Sequence, residues 1–337
     1  MVVNVTTAPV VVVKTAWSLL SSAPLVGFIT VVTVGILGNS MVILIVGENI
    51  LGKRGSRSSD MILVNMAFSN LTVSITRNLL VVLNDLGIEI LTTKSWCQAL
   101  MGLWMWTRCA NVWSTFYLSV FHFYTLRRVT PTVVSLTGYR GPPRTLLMGF
   151  GLVWTISLIY SSPAFVFSTK AGVNTTETLM FVTGTTRPVL GCLWDFPTIA
   201  SGLAFATTSI VIHEIIPIVL MTITNLSSLV TLYTHSKLNK HHPTHKDPHI
   251  PAVKRVPAEI RAAKVILALI VAFIVSWGAS VISVNYVNYN GGPSSGSLLV
   301  LACFSNSGFI ASSPFILAVG HRRLRAVIKS VFKCRCI

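Results

Sequence analysis

Three ionisable side chains stand inside long apolar segments of this sequence, where charge needs a chemical reason. Arg77 and Arg108 are cations, and Glu214 is an anion. A charge removed from water needs an opposite charge or strong hydrogen-bonding partners. The planar guanidinium of arginine matches a carboxylate, and that carboxylate can belong either to a ligand or to Glu214.

Arg108 therefore has three interpretations. It can anchor the acidic group of a ligand, it can pair permanently with Glu214 as a structural element, or it can be held by backbone carbonyls and water alone. The first two can alternate, because a ligand carboxylate can replace that of Glu214. Arg77 has a different alternative, which is to extend its guanidinium to the membrane surface.

A stripe of residues around Arg108 repeats at helical spacing. Its members are spaced 4, 3, 4, 3 and 4 residues apart: Trp104, Arg108, Asn111, Thr115, Leu118 and His122. Residues at this spacing lie on one face of an α-helix. Because polar residues inside a membrane face the bundle interior or a cavity, we expect this helix to be central, with the stripe turned inward.

Other polar residues in apolar segments extend the candidate site. Asn70, Ser74 and Arg77 share a spacing of 4 and 3, and Asn306 and Ser313 are seven residues apart. The residues that we predict to bind a ligand are Arg108, Arg77, Trp104, Asn111, His213, Glu214 and Trp277. From the helix rise, Arg108, Arg77 and Glu214 lie roughly 16, 10 and 9 Å below the outer ends of their predicted helices.

Two of these residues also have simpler roles. His213 is either protonated by its neighbour Glu214 or a neutral histidine in an ordinary hydrogen bond. Trp104 is either a ligand contact or a packing aromatic. The sequence leaves both pairs of alternatives open.

The composition indicates what surrounds these residues. The 337 residues are 52% apolar and 10% charged, whereas soluble domains carry about 25% charged residues. Long apolar runs without alternation favour membrane-spanning helices over barrel strands. Seven such spans are predicted, at residues 25–47, 61–84, 97–126, 145–167, 208–233, 261–287 and 298–319. The fold class is therefore an all-α, seven-helix membrane bundle with a short interfacial helix at the C-terminus.

The basic residues indicate the orientation of this bundle. The net charge is +17, and 20 of the 26 Lys and Arg residues fall in, or at the span ends that adjoin, the segments on one side of the seven spans. This is the pattern of the positive-inside rule, so we expect the N-terminus outside and the C-terminus in the cytoplasm. It also explains the charge without a nucleic-acid partner. The predicted organisation is an extracellular N-terminus (1–24), the bundle (25–320) and a cytoplasmic amphipathic helix and tail (321–337).

This orientation predicts several covalent features. Cys97 and Cys192 both face the oxidising side, so we expect a disulfide between them. Asn4 and Asn174 lie in glycosylation sequons of outer segments.

The C-terminal stretch "HRRLRAVIKSVF" is basic and has apolar residues at helical spacing, which is typical of an interfacial helix. Cys334 and Cys336 follow it and are candidates for palmitoylation. The histidine-rich segment "HSKLNKHHPTHKDPH" has no spacing that predicts a metal site, and no cofactor is predicted.

Short motifs in these spans resemble those of rhodopsin-like G-protein-coupled receptors: Gly38-Asn39, Trp154, Pro163, Pro217, Phe273, Trp277 and Pro314. Other positions depart from that pattern: Asn70 replaces an Asp, His122 stands where the Asp-Arg-Tyr motif is expected, Ala279 replaces a Pro, Ser313 an Asn and Leu317 a Tyr. The departures resemble the vomeronasal type-1 receptor family. The stretches "SVFHFYTLRR", "FSNLTVSITRNLL" and "ASSPFILAV" are most similar to its fish branch, the olfactory receptors class A-like.

This resemblance implies a chemosensory receptor of a sensory-neuron plasma membrane, with an odorant or pheromone as ligand. It implies signalling through a heterotrimeric G protein, with membrane lipids as further partners. Ligand binding would shift the population of two helix arrangements. The residues implied in this switch are His122, Phe273, Trp277, Pro314 and Asn70.

Two functions from other classes are weighed against the receptor. In a transporter or channel, Arg108, Arg77 and Glu214 would line an anion or proton path, which predicts internal repeat symmetry and polar residues through the inner half. The sequence has no such repeat. An intramembrane enzyme would need a catalytic pair at the midplane, and the sequence has no nucleophile–base or metal-ligand set there.

Overall fold

In the computed structural model, residues 22–51, 58–86, 93–128, 144–170, 192–241, 256–290, 295–320 and 324–326 are described. The elements in chain order are α1 (Ser22–Leu51), α2 (Ser58–Val73), the first π-helical turn (Ser74–Leu79), α3 (Leu80–Asp85), α4 (Lys94–Arg128), α5 (Arg144–Val166), β1 (Ser168–Lys170), β2 (Cys192–Trp194), α6 (Ile199–Ser209), the second π-helical turn (Ile210–Ile215), α7 (Ile216–His241), α8 (Val256–Asn290) and α9 (Ser295–Gly320). Each of the seven predicted apolar spans is confirmed as helical. Span two runs without a break from α2 to α3, and span five from α6 to α7. Spans one, three, four, six and seven are α1, α4, α5, α8 and α9.

These helices have the lengths and surfaces of membrane spans. Within the described residues, six spans are long and apolar enough to cross a bilayer, and span three is not among the six. Large apolar side chains cover the outside of the bundle; Leu152, Ile159 and Ile282 are exposed by 61%, 67% and 70%. A surface of this kind is matched to lipid rather than to water. The chain is an all-α, seven-helix membrane bundle.

Span three is less apolar than the other six spans because it lies at the centre of the bundle. It contacts spans two, four, five and six. All six stripe residues are at most 4% exposed, as predicted, but so are Met105, Cys109 and Val112 between them. The helix is thus buried on every face over residues 107–112, and protein rather than lipid surrounds its polar side chains there.

A short strand pair at the N-terminal end of span three anchors the connection between spans four and five. β1 and β2 are antiparallel, with Lys170 opposite Cys192. Cys192 and Cys97 form a disulfide with a Cα–Cα distance of 5.4 Å. The predicted disulfide is therefore confirmed, and it fixes the strand pair to the start of α4.

Span five begins earlier than the sequence prediction, which placed its start at residue 208. The helix starts at Ile199, where Thr198 is the N-cap and forms a reciprocal capping box with Ser201. Such a cap satisfies backbone N–H groups that a helix start leaves without partners. Glu214 is consequently fifteen residues from the helix start, roughly 22 Å along the axis rather than 9 Å.

Several predicted features lie outside the described residues. These are the sequons at Asn4 and Asn174, the cysteines Cys334 and Cys336, and most of the two predicted terminal segments. Within the C-terminal segment, only 324–326 is described, and it is helical.

Candidate functional site

Arg108 is the centre of the candidate site and is almost completely buried, at 2% exposure. Its Nη1 donates a hydrogen bond of 2.5 Å to Oδ1 of Asn306 in span seven. Its guanidinium carbon lies 3.4 Å from the ring centroid of Trp277 in span six and 5.7 Å from that of Trp104. Arg108 thus joins span three to spans six and seven.

The contact between Arg108 and Trp277 is a cation–π stack, which is worth roughly 2 kcal/mol or more when it is removed from water. Because a side-chain amide and an indole ring hold the guanidinium, the interpretation that it is held by backbone carbonyls and water alone is wrong. Two N–H groups of this stack, Arg108 Nε and Trp277 Nε1, are buried and have no hydrogen-bond partner among the described residues.

Arg77 approaches the same site from span two. It lies in the first π-helical turn, and its guanidinium carbon is 4.4 Å from the ring centroid of Trp104. Trp104 is fully buried and has a guanidinium carbon of each arginine within 6 Å of its ring. Packing and ligand contact are therefore not exclusive roles for Trp104, since the ring positions both cations.

The second π-helical turn brings His213 and Glu214 into the bundle. These adjacent residues are 2% and 0% exposed. Arg108 interacts electrostatically with Glu214, which attracts it, and with Arg77, which repels it. The structure therefore brings together the three ionisable side chains that the sequence identified on separate spans.

His213 is held by aromatic neighbours. Its Nδ1 accepts a hydrogen bond of 3.0 Å from Trp113 Nε1, and its ring centroid is 4.2 Å from that of Tyr160. An imidazolium has no acceptor nitrogen, so this geometry requires a neutral ring with its hydrogen on Nε2. The geometry favours the neutral alternative for His213 over protonation by Glu214.

Asn111 belongs to a separate polar network that lies deeper in the bundle. Its Nδ2 donates to Ser69 Oγ at 2.9 Å and to Asn70 Oδ1 at 2.8 Å. Asn70 in turn donates to Ser313 Oγ at 3.2 Å and to Asn39 Oδ1 at 3.4 Å. Both amide hydrogens of Asn111 are used inside the protein, which makes it a network residue rather than a donor for a ligand.

The network ends at the proline of span seven. Pro314 has no backbone N–H, so the carbonyl of Ile310 loses its normal helical partner. Asn39 Nδ2 from span one donates to that carbonyl at 2.9 Å, and Ser313 Oγ donates to it at 3.1 Å. Spans one, two, three and seven are thereby linked through neutral hydrogen bonds.

The predicted switch residues His122 and Phe273 are also buried. His122 is 4% exposed, and its Nε2 has no hydrogen-bond partner in the described part of the chain. The same holds for both amide atoms of Asn225 on span five. In span six, Phe273 stacks on Trp277 with 5.7 Å between ring centroids and meets Phe309 edge-on at 5.0 Å.

Sequence reasoning missed two partners in the site, Asn306 and Trp113. Asn306 was recognised as a polar residue in an apolar span but was not connected with Arg108, because spacing within one helix does not reveal contacts between helices. Trp113 has no distinguishing pattern, since aromatic residues are common on apolar helices. No group of three or more His, Cys, Asp or Glu side chains that could hold a metal occurs in the described residues.

Comparison with known proteins identifies a family that this chain matches. The model of the vomeronasal organ pheromone receptor family matches residues 26–330. Olfactory receptor class A-like protein 4 of Danio rerio is 37% identical over 301 residues, which cover 89% of this chain and 86% of the zebrafish protein. The match to the family model spans all seven helices.

Proposed function

Because the chain belongs to the vomeronasal organ pheromone receptor family, and so is a multi-pass chemosensory G-protein-coupled receptor of the plasma membrane, we propose that its ligand is a small organic acid bound at Arg108. One observation carries this proposal: the buried guanidinium has a neutral amide as its hydrogen-bond partner and keeps an Nε–H without one among the described residues. A ligand carboxylate would supply a charged acceptor there. Arg108 interacts with Trp104, Trp277, Arg77 and Glu214, and His213 precedes Glu214 in the second π-helical turn.

The proposed orientation has the N-terminus outside and the ligand site in the outer half of the bundle. The split of basic residues between the two sides supports it. The inner basic residues would then face the G protein and anionic lipid headgroups. In this orientation Asn4 and Asn174 are glycosylation sites, and Cys334 and Cys336 are available for palmitoylation.

Activation is proposed to be a shift between two helix arrangements. A ligand carboxylate at Arg108 Nε would bind a guanidinium that also contacts Asn306 and Trp277. Those residues belong to spans seven and six, so ligand binding changes the restraints on both helices. The inner ends, with His122, Phe273, Pro314 and Asn70, then favour a state that binds a G protein. The ligand shifts this equilibrium only by its difference in affinity for the two states.

Glu214 gives the proposal a second component. Its carboxylate attracts Arg108, so the empty receptor holds an internal anion near the cation that the ligand requires. Exchange of Glu214 for a ligand carboxylate would couple binding to a movement of span five. If the pair is structural instead, Arg108→Glu combined with Glu214→Arg restores a receptor that either single change destroys.

The test is a screen of acidic, amine and neutral odorants in cells that express a promiscuous G protein. Acidic compounds are expected to activate the wild-type receptor. For Arg108→Ala, the half-maximal concentration for an acid is expected to rise at least ~30-fold, because losing one partner of a buried ion pair costs about 2 kcal/mol or more. Arg108→Lys keeps the charge but loses the planar fork, so we expect an intermediate response.

Lys94→Ala is the matched control, because it removes a cation from the exposed outer start of the same helix. It should respond like the wild type, with equal surface expression of every variant confirmed by labelling intact cells. Acid responses that persist unchanged in Arg108→Ala would overturn the proposed site.

A further inference from the structure

The stack of Arg108 on Trp277 contains two donors that protein groups do not satisfy. Arg108 Nε and Trp277 Nε1 both lack a hydrogen-bond partner among the described residues, and both side chains are 2% exposed. Buried N–H groups are rarely left in this state, and such groups in native proteins commonly bind an ion, a water molecule or a ligand. The guanidinium carbon of Arg108 is 3.4 Å from the ring centroid of Trp277, so both donors belong to one stack. A group that accepts hydrogen bonds from both would satisfy them.

The charge around the stack favours a negative acceptor. Arg77, Arg108 and Glu214 together carry a formal charge of +1, and Arg77 and Glu214 both interact electrostatically with Arg108. An excess positive charge in a site enclosed by protein attracts anions strongly, because little water screens it. A neutral water molecule could accept the same hydrogen bonds, but it would not offset this charge.

The surroundings also favour a small, spherical anion. The rings of Trp104 and Trp277 lie beside the guanidinium, and Phe273 stacks on Trp277, so the two N–H groups that lack a partner among the described residues are the donors that this stack offers. An oxyanion has several oxygens that each need donors, whereas a halide is a single atom that accepts from any direction. Chloride is the most abundant such ion outside animal cells.

We propose that the Arg108–Trp277 stack is a chloride site, in which the ion accepts hydrogen bonds from Arg108 Nε and Trp277 Nε1. The proposal does not require that the ligand be an acid. If the ligand is an acid, its carboxylate uses the same donors, so chloride and ligand compete. External chloride would then set the concentration range in which the receptor responds.

The test measures thermal unfolding of the purified full-length receptor in lipid nanodiscs without any odorant. Sodium chloride, sodium bromide and sodium gluconate are compared at equal ionic strength. An ion that binds only the folded state stabilises it in a saturable manner, so both halides should raise the midpoint by about 2 °C or more over gluconate. Equal midpoints in all three salts would overturn the chloride site.

Two tryptophan variants test the assignment of the donors. Trp277→Phe removes the Nε1–H but keeps a ring beneath Arg108, and it should lose the halide dependence. Trp113→Phe is the matched control, since its indole N–H already has an acceptor in His213; it should be less stable overall but keep the halide dependence. Full halide dependence in Trp277→Phe would also contradict the proposal. Chlorine NMR line broadening with the wild-type protein needs no variant, and displacement of chloride by bromide should reverse it.

A last measurement separates this inference from the proposed ligand. In cells, replacing external chloride by gluconate should lower the half-maximal concentration of an acidic agonist, which rests on the proposed function. Halide stabilisation without any acid response would support the ion site and overturn the ligand class. Acid responses that depend on Arg108, together with stability that does not depend on halide, would support the ligand class and overturn the ion site.

Discussion

At the scale of single residues, a buried charge is tolerated here because neighbouring helices provide its partners. The guanidinium of Arg108 has an amide on one side and an indole on the other, and the carboxylate of Glu214 attracts it. Unlike a surface cation, Arg108 has already lost its water. An acidic molecule that reaches it therefore meets a site whose desolvation cost was met when the protein folded.

Asn111 shows how strongly a buried neutral network depends on donor direction. We predict that Asn111→Asp lowers the free energy of unfolding by about 2–3 kcal/mol. The amide of Asn111 donates two hydrogen bonds, to Ser69 and to Asn70, whereas a protonated Asp can donate only one and an ionised Asp none. Thermal unfolding in detergent measures the change.

The control for Asn111→Asp is Thr115→Val, one turn further along the same helix. Thr115 Oγ1 donates to the carbonyl of Asn111 within that helix, so its loss should cost about 1 kcal/mol or less. An Asn111→Asp protein as stable as Thr115→Val would contradict the importance of the network.

At the scale of the elements, the two π-helical turns decide which side chains reach the site. The second one ends just before Pro217, whose missing N–H leaves the carbonyl of His213 without its usual helical partner. The N–H of Ile216 bonds instead to Val211, five residues back. The wider turn places His213 and Glu214 together inside the bundle. Proline is a sequence cue for this irregularity, whereas the first π-helical turn at Ser74–Leu79 has no comparable cue in its own sequence.

Close packing of spans three and four gives a prediction at the same scale. A Cβ atom at Gly102 would overlap the ring of Phe165, whereas one at Gly151 would have no neighbour within 4 Å. Gly102→Ala should therefore lower stability by about 1–3 kcal/mol, because the helices must separate or the ring must move.

Gly151→Ala is the control for Gly102→Ala. It should leave the unfolding midpoint unchanged or raise it, because alanine favours helix and meets no neighbour there. The two substitutions are compared by thermal unfolding under the same conditions. Equal effects would mean that spans three and four do not pack as closely as the structure indicates.

At the scale of the whole molecule, the distribution of charge sets the expected orientation in the membrane. A tag at the N-terminus should bind antibody on intact cells, and a tag at the C-terminus only after permeabilisation. Asn4→Gln and Asn174→Gln should each remove one glycan and increase mobility on a gel. Asn225→Gln removes a sequon inside span five and should leave mobility unchanged. An N-terminal tag that is reached only in permeabilised cells would refute the orientation.

The sequence by itself determined the class of the fold, because apolar segments of about 20 residues in a chain with few charges can only be satisfied as helices in lipid. It also identified Arg108, Arg77 and Glu214, since charge in such segments is costly and therefore conspicuous. The pairing of Cys97 with Cys192 followed from their shared side of the membrane.

Only the tertiary structure decided what these residues contact. Asn306 as the partner of Arg108, Trp113 as the partner of His213, and the use of Asn111 in a network all depend on side chains from different helices. The spacing within one helix specifies which face a residue occupies, but the neighbour on that face depends on how helices cross, where π-helical turns change their register, and where span five begins. Those features arise from packing of the complete bundle, so a pattern in any one segment does not contain them.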